Sequence, residues 1–404
     1  MTIKNTSISR RGVAKGAAVL AVATALGGGV AFAQDGPIKL GALVPLTGAG
    51  GPYGPIMAKT MQAVVDEVNE AGGVKGRKLE LIVEDTQTNP EAAVRAARKL
   101  IEVDGVISIS GTWASSVTTA VAPLAWQSGT FLTTTSGADS ITQLPHEGYL
   151  IRTQPNTTLQ GRKFGEFAIE EGAKSVYMVS PQTPFVDSQF ENITKAVEAA
   201  GGTTELLVYD DKKPSYRSEV DTVMRADPDA IILGGYTPDT TVMLKDLYRA
   251  GYDGLKIGFG YSVNEKLLES VPADVVEGAM TISPSPNADS KAYARVGELS
   301  GMANPDPYTA QVYDQINLII LSLAASDAEP SGTMLKDTVR TVSQGDGETV
   351  DNAIDGIKLL SEGQAVNYDG ASGPVDFDEK GDITDSRFRY DQVQDGKIVL
   401  LKIF

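Results

Sequence analysis

The stretch IKLGALVPLTGAGGPYG, Ile38 to Gly54, runs from an apolar segment into a glycine-rich loop, and a helical pattern follows at once. Met57, Met61, Val64, Val65 and Val68 share one face at helical spacing, and Gly72-Gly73 stops the helix. Strand, glycine loop and helix open many nucleotide sites. The dinucleotide fingerprint needs glycine at three positions, G-x-G-x-x-G. Gly48 and Gly50 fill the first two, but Tyr53 holds the third and blocks the close helix–strand approach that glycine allows. No Lys-Ser or Lys-Thr follows at P-loop spacing. A nucleotide loop is therefore not expected. The stretch reads either as an ordinary turn into a helix or as the seat of an aromatic wall. In the second case Tyr53 stands at the carboxyl end of strand one, where open sheets bind ligands.

The rhythm continues outward. KLELIVED, VISISGT and TFLTTT read as strands, separated by helices in NPEAAVRAARKLIEVDG and SSVTTAVAPLAWQSG. Pro90 at a first turn and the early acid suit a helix start. This βαβαβαβ series predicts a mostly parallel sheet with helices on both faces. A second series begins after YLIRTQPNTTLQGR, with strands in SVYMVS, TELLVYD, AIILGGY, KIGFGY and GAMTISP, so a boundary is expected near Arg152 and Thr153. Only the pattern repeats, not the residues. From Asp289 to about Gly363 the chain reads as helical; YTAQVYDQINLIILSLAAS, its most apolar helix, suits either half. The tail is β-rich, with Asp395-Gly396 as a hairpin turn.

The gross numbers narrow the function. A chain of 404 residues with 42% apolar content suits two or three domains with proper cores. A formal charge of −17 argues against a nucleic-acid face, which needs clustered cations. The absence of cysteine removes disulfides, thiolate nucleophiles and zinc–thiolate sites. The one histidine, His146, sits beside Pro145 and is expected on a surface loop. Residues 1–33 have the parts of a secretory signal: Lys4, Arg10, Arg11 and Lys15, then an uncharged stretch, then Ala31-Phe32-Ala33. SRRGVAK is similar to a twin-arginine motif, with Sec export left open. Cleavage after Ala33 is expected, giving an acidic periplasmic protein of formal charge −21.

No catalytic set is legible. There is no G-x-S-x-G elbow, a serine would have only His146 as imidazole base, and no acids show metal-ligand spacing. No enzyme activity, cofactor or metal is expected. Instead, hydroxyls and small residues gather at strand ends. GTWASS, Gly111 to Ser116, opens a helix, and TTTSGADS, Thr133 to Ser140, follows strand four. Helix N-termini bind anions through unpaired N–H groups, and Ser115 and Ser136 could add hydroxyl donors or merely cap. Phe185, Tyr236 and Tyr261 fall at strand ends of the second half. With Tyr53 they suggest a cleft lined from both sides.

The order of LGALVPLTGAGGPYG, VDEVNEAGGVKGRKLELIVEDTQTNPEAAVRAARKLI, SGTWASSVTTAVAPLA, YLIRTQPN, GGYTPD and SGPVDFDEKGD resembles the periplasmic leucine/isoleucine/valine-binding protein family, type I solute-binding proteins of ABC importers. The resemblance spans the mature chain. It implies two doubly wound α/β lobes joined by a three-segment hinge, with crossovers near Thr153, Pro284 and Gly370. The N-terminal lobe would hold 34–153 plus 284–370 and the C-terminal lobe 154–283 plus 371–404. It implies a ligand between the lobes: Ser115 on its carboxylate beside Trp113, Thr135, Ser136 and Gly137 as the second loop, Tyr53 as an aromatic gate, and Phe185 and Tyr236 from the other lobe. Tyr261 falls near the place where amino-acid binders put an acid for the ammonium. Asp139, Asp187, Asp239 or Glu265 could substitute; otherwise the ligand has no α-amino group. An unpaired buried ammonium forfeits a charge-assisted bond of about 1–3 kcal/mol, which tilts the reading toward an aromatic or apolar acid over a branched-chain or other amino acid. The implied partners are a small solute and an inner-membrane permease, with the protein a monomer; a ligand-sensing module for a signalling partner is the alternative.

Overall fold

The computed structural model describes residues 36–404 and Thr2; the expected signal and its cleavage point lie outside the described residues. Five strands form the first sheet: β1 (Ile38–Val44), β2 (Leu79–Asp85), β3 (Ser108–Thr112), β4 (Phe131–Thr134) and β5 (Leu150–Arg152). Their order is β2-β1-β3-β4-β5 and every pairing is parallel. Helices α1 (Gly54–Glu70), α2 (Pro90–Arg98) and α3 (Ser115–Ser128) make the crossovers. The sequence pattern did not show β5, because three residues carry no periodicity.

The second sheet holds β6 (Ser175–Ser180), β7 (Thr203–Val208), β8 (Ala230–Leu233), β9 (Leu255–Phe259) and β10 (Met280–Pro284), linked by α5 (Pro184–Ala199), α6 (Arg217–Ala226) and α7 (Thr237–Ala250) after an entering α4 (Thr157–Glu170). A small parallel pair, β11 (Glu348–Val350) and β12 (Val366–Tyr368), stands apart. The tail strands β13 (Phe388–Gln394) and β14 (Lys397–Ile403) add antiparallel to the second sheet, giving β14-β13-β10-β9-β8-β6-β7. Asp395 and Gly396 turn between them with φ of 51° and 70°. Positive φ at both central residues is what a two-residue hairpin of right-handed twist requires.

The inner strands of the second sheet, such as β6 and β8, are buried on both faces, whereas the edge strands β7 and β14 are largely exposed. Val176 and Met178 of β6 enter one core with Phe164 and Ile193, while Tyr177 and Val179 enter the other with Val220 and Leu244. Such double burial is why the strands read as unbroken apolar runs. The apolar helix Pro307–Ala325 buries sixteen residues, and Val312, Tyr313, Ile316 and Ile319 belong to the core of the first lobe. A helix apolar all round needs cover on every side. Its Gln315 is paired inside: the amide oxygen accepts from Gly111 N (2.9 Å) and Thr133 Oγ1 (3.0 Å), and the nitrogen donates to Thr153 Oγ1 (3.0 Å).

The opening loop is a packing piece. The Asp85 carboxylate accepts from Thr47 N (3.1 Å) and Thr47 Oγ1 (2.6 Å), tying the loop to the end of β2. Gly48 has a φ of 79°, and a Cβ there would lie 2.2 Å from Gln87 O. Two placements differ from the sequence expectations. Ala371, Val375, Phe377 and Ile383 pack in the first core, and Phe388 is the next residue in the second. The last crossing therefore falls after Ile383 rather than near Gly370. Alternation in PVDFD reads alike in either lobe, and the parallel bridge Arg152 to Asp382 decides it. His146 is only 5% exposed, not a surface residue. Its Nδ1 accepts from Gly148 N (3.2 Å), and burial lowers its pKa. No helix among the described residues is long and apolar enough to cross a membrane.

Candidate functional site

The carboxyl ends of the two sheets face one cavity, with about 590 Å³ of atom-free space, part of it open to solvent. That size suits a small molecule. The first lobe gives it a polar wall: Trp113, Ala114 and Ser115 where β3 runs into α3, then Thr135 and Gly137 after β4. Gln154 and Gln160 continue that wall from the first crossing. The second lobe and the long helix give an aromatic wall of Phe185, Tyr236, Phe259, Tyr261 and Tyr308.

Helix α3 begins at this wall without a cap. Its N-cap is Ala114, and no side chain there bonds the first turn. Ser115 does not cap either. Its Oγ accepts from Ala138 N (3.2 Å), bracing the loop after β4, and its own hydroxyl hydrogen remains available. An uncapped helix start presents N–H donors and the positive end of the dipole to whatever fills the cavity.

The rings form a continuous set. Trp113 lies 5.6 Å from Tyr236, 5.9 Å from Tyr261 and 5.5 Å from Tyr308, the last two edge-on. Tyr261 stacks on Phe259 at 5.1 Å. Burial, then the charges of Asp239 and Asp211, pushes the Tyr236 phenol up to about 12, and burial raises those of Tyr261 and Tyr308 well above the ordinary phenol value. The cavity wall therefore stays uncharged at neutral pH. None of the four acids considered as ammonium partners lines it. Asp139 accepts from Thr158 N (3.0 Å), Thr158 Oγ1 (2.9 Å) and Asn192 Nδ2 (3.0 Å). Asp239 takes Lys212 N (3.4 Å), and Asp187 and Glu265 are exposed.

Seven of the nine candidate residues come together on the cavity; two do not. Tyr53 packs behind Trp113 (5.6 Å) and Tyr308 (5.1 Å), and its hydroxyl accepts from Asn264 Nδ2 of the second lobe (3.3 Å). Tyr53 is an outer brace between lobes, one ring removed from the wall expected of it. The Ser136 hydroxyl shares a 2.6 Å bond with Thr118 Oγ1 and donates to Trp113 O (2.8 Å), so it is spent inside the first lobe. Gly137 is needed for closeness: a Cβ would lie 2.8 Å from both Phe185 and Gln160. The sequence reading missed Gln154, Gln160 and Tyr308. Only folding carries the long helix and the first crossing to the cavity, and no local motif marks them.

A family model described as periplasmic binding protein matches residues 37–397. The chain belongs to that family, whose members bind small solutes and work with ABC permeases. It is 24% identical over 357 residues to a leucine-, isoleucine-, valine-, threonine- and alanine-binding protein of Pseudomonas aeruginosa, covering 87% of this chain and 88% of that one. It is 25% identical over 356 residues to BasB, a substrate-binding protein of a chemotactic signal transduction system in Halobacterium salinarum, covering 84% and 83%. A solute-binding protein of an ABC transporter from R. palustris, solved in complex with benzoate, shares the fold with a TM-score of 0.72, at 19% identity over 91% of this chain and 96% of that one. These relatives are solute-binding proteins, not enzymes, and this chain is of their kind.

Proposed function

We propose that this protein is the exported receptor of an ABC importer and that it closes on a small acid with an aromatic or apolar body and no α-amino group. One observation carries the reading: the cavity sets an uncapped helix start against a wall of rings and contains no carboxylate. A carboxylate finds N–H donors and the Ser115 hydroxyl, whereas an ammonium finds no counter-charge. The lobes meet through three crossings, and Thr153, Pro155, Pro284, Pro286, Ile383 and Ser386 gather around one small space behind the cavity. These are the hinge in this reading, with lobes divided there. Shifting such a hinge from mostly open to mostly closed takes about 5.5 kcal/mol of differential binding. One anionic anchor and several desolvated rings supply contacts that exist only in the closed form. The signal is cleaved after Ala33, the receptor acts in the periplasm as a monomer, and its permease reads the closed shape.

The test is calorimetry with benzoate and with leucine. Benzoate is expected to bind and raise the melting temperature by mass action, with leucine inert; binding of leucine alone overturns the ligand reading. The likeness to BasB favours a second role, sensing for chemotaxis. Deleting the gene separates the two: lost uptake of labelled benzoate marks a receptor for import, and lost chemotaxis with normal uptake marks a sensor.

A further inference from the structure

Two glutamine amides in the polar wall have no part in the anion anchor. Gln154 and Gln160 are each only 3% exposed, and both line the cavity. Gln160 Nε2 donates to Pro155 O (2.6 Å). A carbonyl oxygen only accepts, so this bond fixes which way the amide faces, and its oxygen is left to the cavity. The Gln154 oxygen accepts from Gln311 Nε2 (2.5 Å) on the long core helix; Gln311 Oε1 has no partner, so this amide–amide bond can form either way round and leaves one Gln154 amide atom to the cavity. Gln311 is itself 1% exposed, and Thr153 Oγ1 donates to its backbone oxygen (3.3 Å), so the support is rigid. Among the described residues neither free amide atom has a protein partner, and both belong to one short stretch of the first crossing.

The wall thus offers a fixed neutral acceptor, Gln160 Oε1, beside a second neutral amide. A second carboxylate would be repelled by Gln160 Oε1, and an ammonium could donate to it but would find no counter-charge on the cavity wall. A methyl or bare ring edge would leave both atoms unpaired, which is unfavourable for buried polar groups. A hydroxyl donates to Gln160 Oε1 and keeps lone pairs for the Gln154 amide, which can turn its NH₂ to the cavity. Resting on the solute reading above, we infer that Gln154 and Gln160 are specificity-determining residues for a hydroxyl borne by the acid, and that the solute class is a hydroxylated aryl or apolar carboxylic acid. Ser115 and the start of α3 hold the carboxylate, and the amide pair selects among acids of the same size. Sites built to hydrogen-bond a hydroxyl discriminate strongly against the analogue that lacks it.

Calorimetry on the full mature chain tests this with benzoate, 3-hydroxybenzoate and 4-hydroxybenzoate, for the wild type, Gln154→Met and Gln160→Met. At least one hydroxylated isomer is expected to bind about tenfold or more tightly than benzoate to the wild type. In Gln160→Met that preference is expected to shrink to about threefold or less, and the lost bond to Pro155 O is expected to lower the ligand-free melting temperature. Gln154→Met is expected to act in the same direction. Equal affinity of the wild type for all three acids overturns the inference and leaves the solute reading standing, as does a preference that survives both substitutions. If none of the three binds, the solute reading falls and takes this inference with it. The wild-type comparison decides even if a variant folds poorly.

Discussion

Two neighbouring stretches of buried polar chain are treated in opposite ways. Behind the loop after β4, Arg152 is fully buried and saturated: Nε meets Asp382 Oδ1 at 2.5 Å, Nη1 donates to Ala138 O at 2.8 Å, and Nη2 donates to Thr142 Oγ1 at 2.8 Å. In front of the same loop, α3 starts uncapped and two amides keep a free atom each. Other helices show that caps are available to this chain: Asn89 Oδ1 accepts from Ala92 N at 2.8 Å, and Asn156 Oδ1 accepts from Leu159 N at 3.0 Å. Buried polar groups without partners are destabilising and uncommon. Unpartnered buried atoms such as Ser343 Oγ and Gln189 Oε1 occur elsewhere too, but here an uncapped helix start and two amides face one cavity, where an outside molecule can complete the bonding.

Substitutions on either side of the loop should behave differently. Arg152→Met leaves Asp382 buried and unpaired, and the expected loss is about 3–5 kcal/mol of unfolding free energy, read by denaturant titration. Its pH signature is also fixed. Burial raises the Asp382 pKa, but the charge of Arg152 and bonds from Arg152, Asn156 and Thr142 outweigh it and hold the group below 3.8. The unfolded chain then takes up the proton more readily, so the pair stabilises above that pKa and the gain disappears as pH falls through the folded value. Acid unfolding of the Arg152→Met protein should accordingly begin at higher pH. An unchanged acid midpoint would show that the pair is not the anchor of the loop.

Ala114→Asp should do the reverse. A carboxylate at the N-cap supplies the missing cap and is expected to stabilise the ligand-free protein by about 1 kcal/mol. The same group occupies the anion position, so benzoate affinity should drop by about a hundredfold or more, on the order of a lost anchor plus like-charge repulsion. A stabilised protein that still binds would break the comparison drawn here. Ser115→Ala sharpens it further. Binding is expected to weaken about tenfold, equivalent to one charge-assisted bond near 1.4 kcal/mol, with a lower melting temperature because Ala138 N loses its acceptor. The smallest effect belongs to Tyr53→Phe. It removes only the 3.3 Å bond from Asn264 across the lobes, and affinity should move by about threefold or less. A larger loss would place Tyr53 in the cavity after all.

The legible part of the site follows a simple line. Trp113, Ser115, Thr135, Gly137, Phe185, Tyr236 and Tyr261 all stand within a few residues of a strand's carboxyl end, and parallel topology brings such ends together. Ser136 shares that position but points its hydroxyl into Thr118 and Trp113, which a residue number cannot reveal. Tyr53 was placed at the right strand end and the wrong depth, because Trp113 and Tyr308 fill the layer before it.

The sequence alone determined the alternation of apolar runs and amphipathic helices, and with it two successive parallel α/β units, since burial of both sheet faces forces that composition at the inner strands. It also determined that no cysteine chemistry is available, whereas only the structure shows that His146 does not line the cavity. Tertiary structure alone decided that the long helix belongs to the first lobe, that the last crossing falls after Ile383, and that Gln154, Gln160 and Tyr308 reach the cavity. Those facts depend on pairings between residues more than a hundred positions apart, such as Arg152 with Asp382 and Gln154 with Gln311. No local period or motif encodes a contact of that range; it is fixed only when the cores close and bring such distant polar groups together.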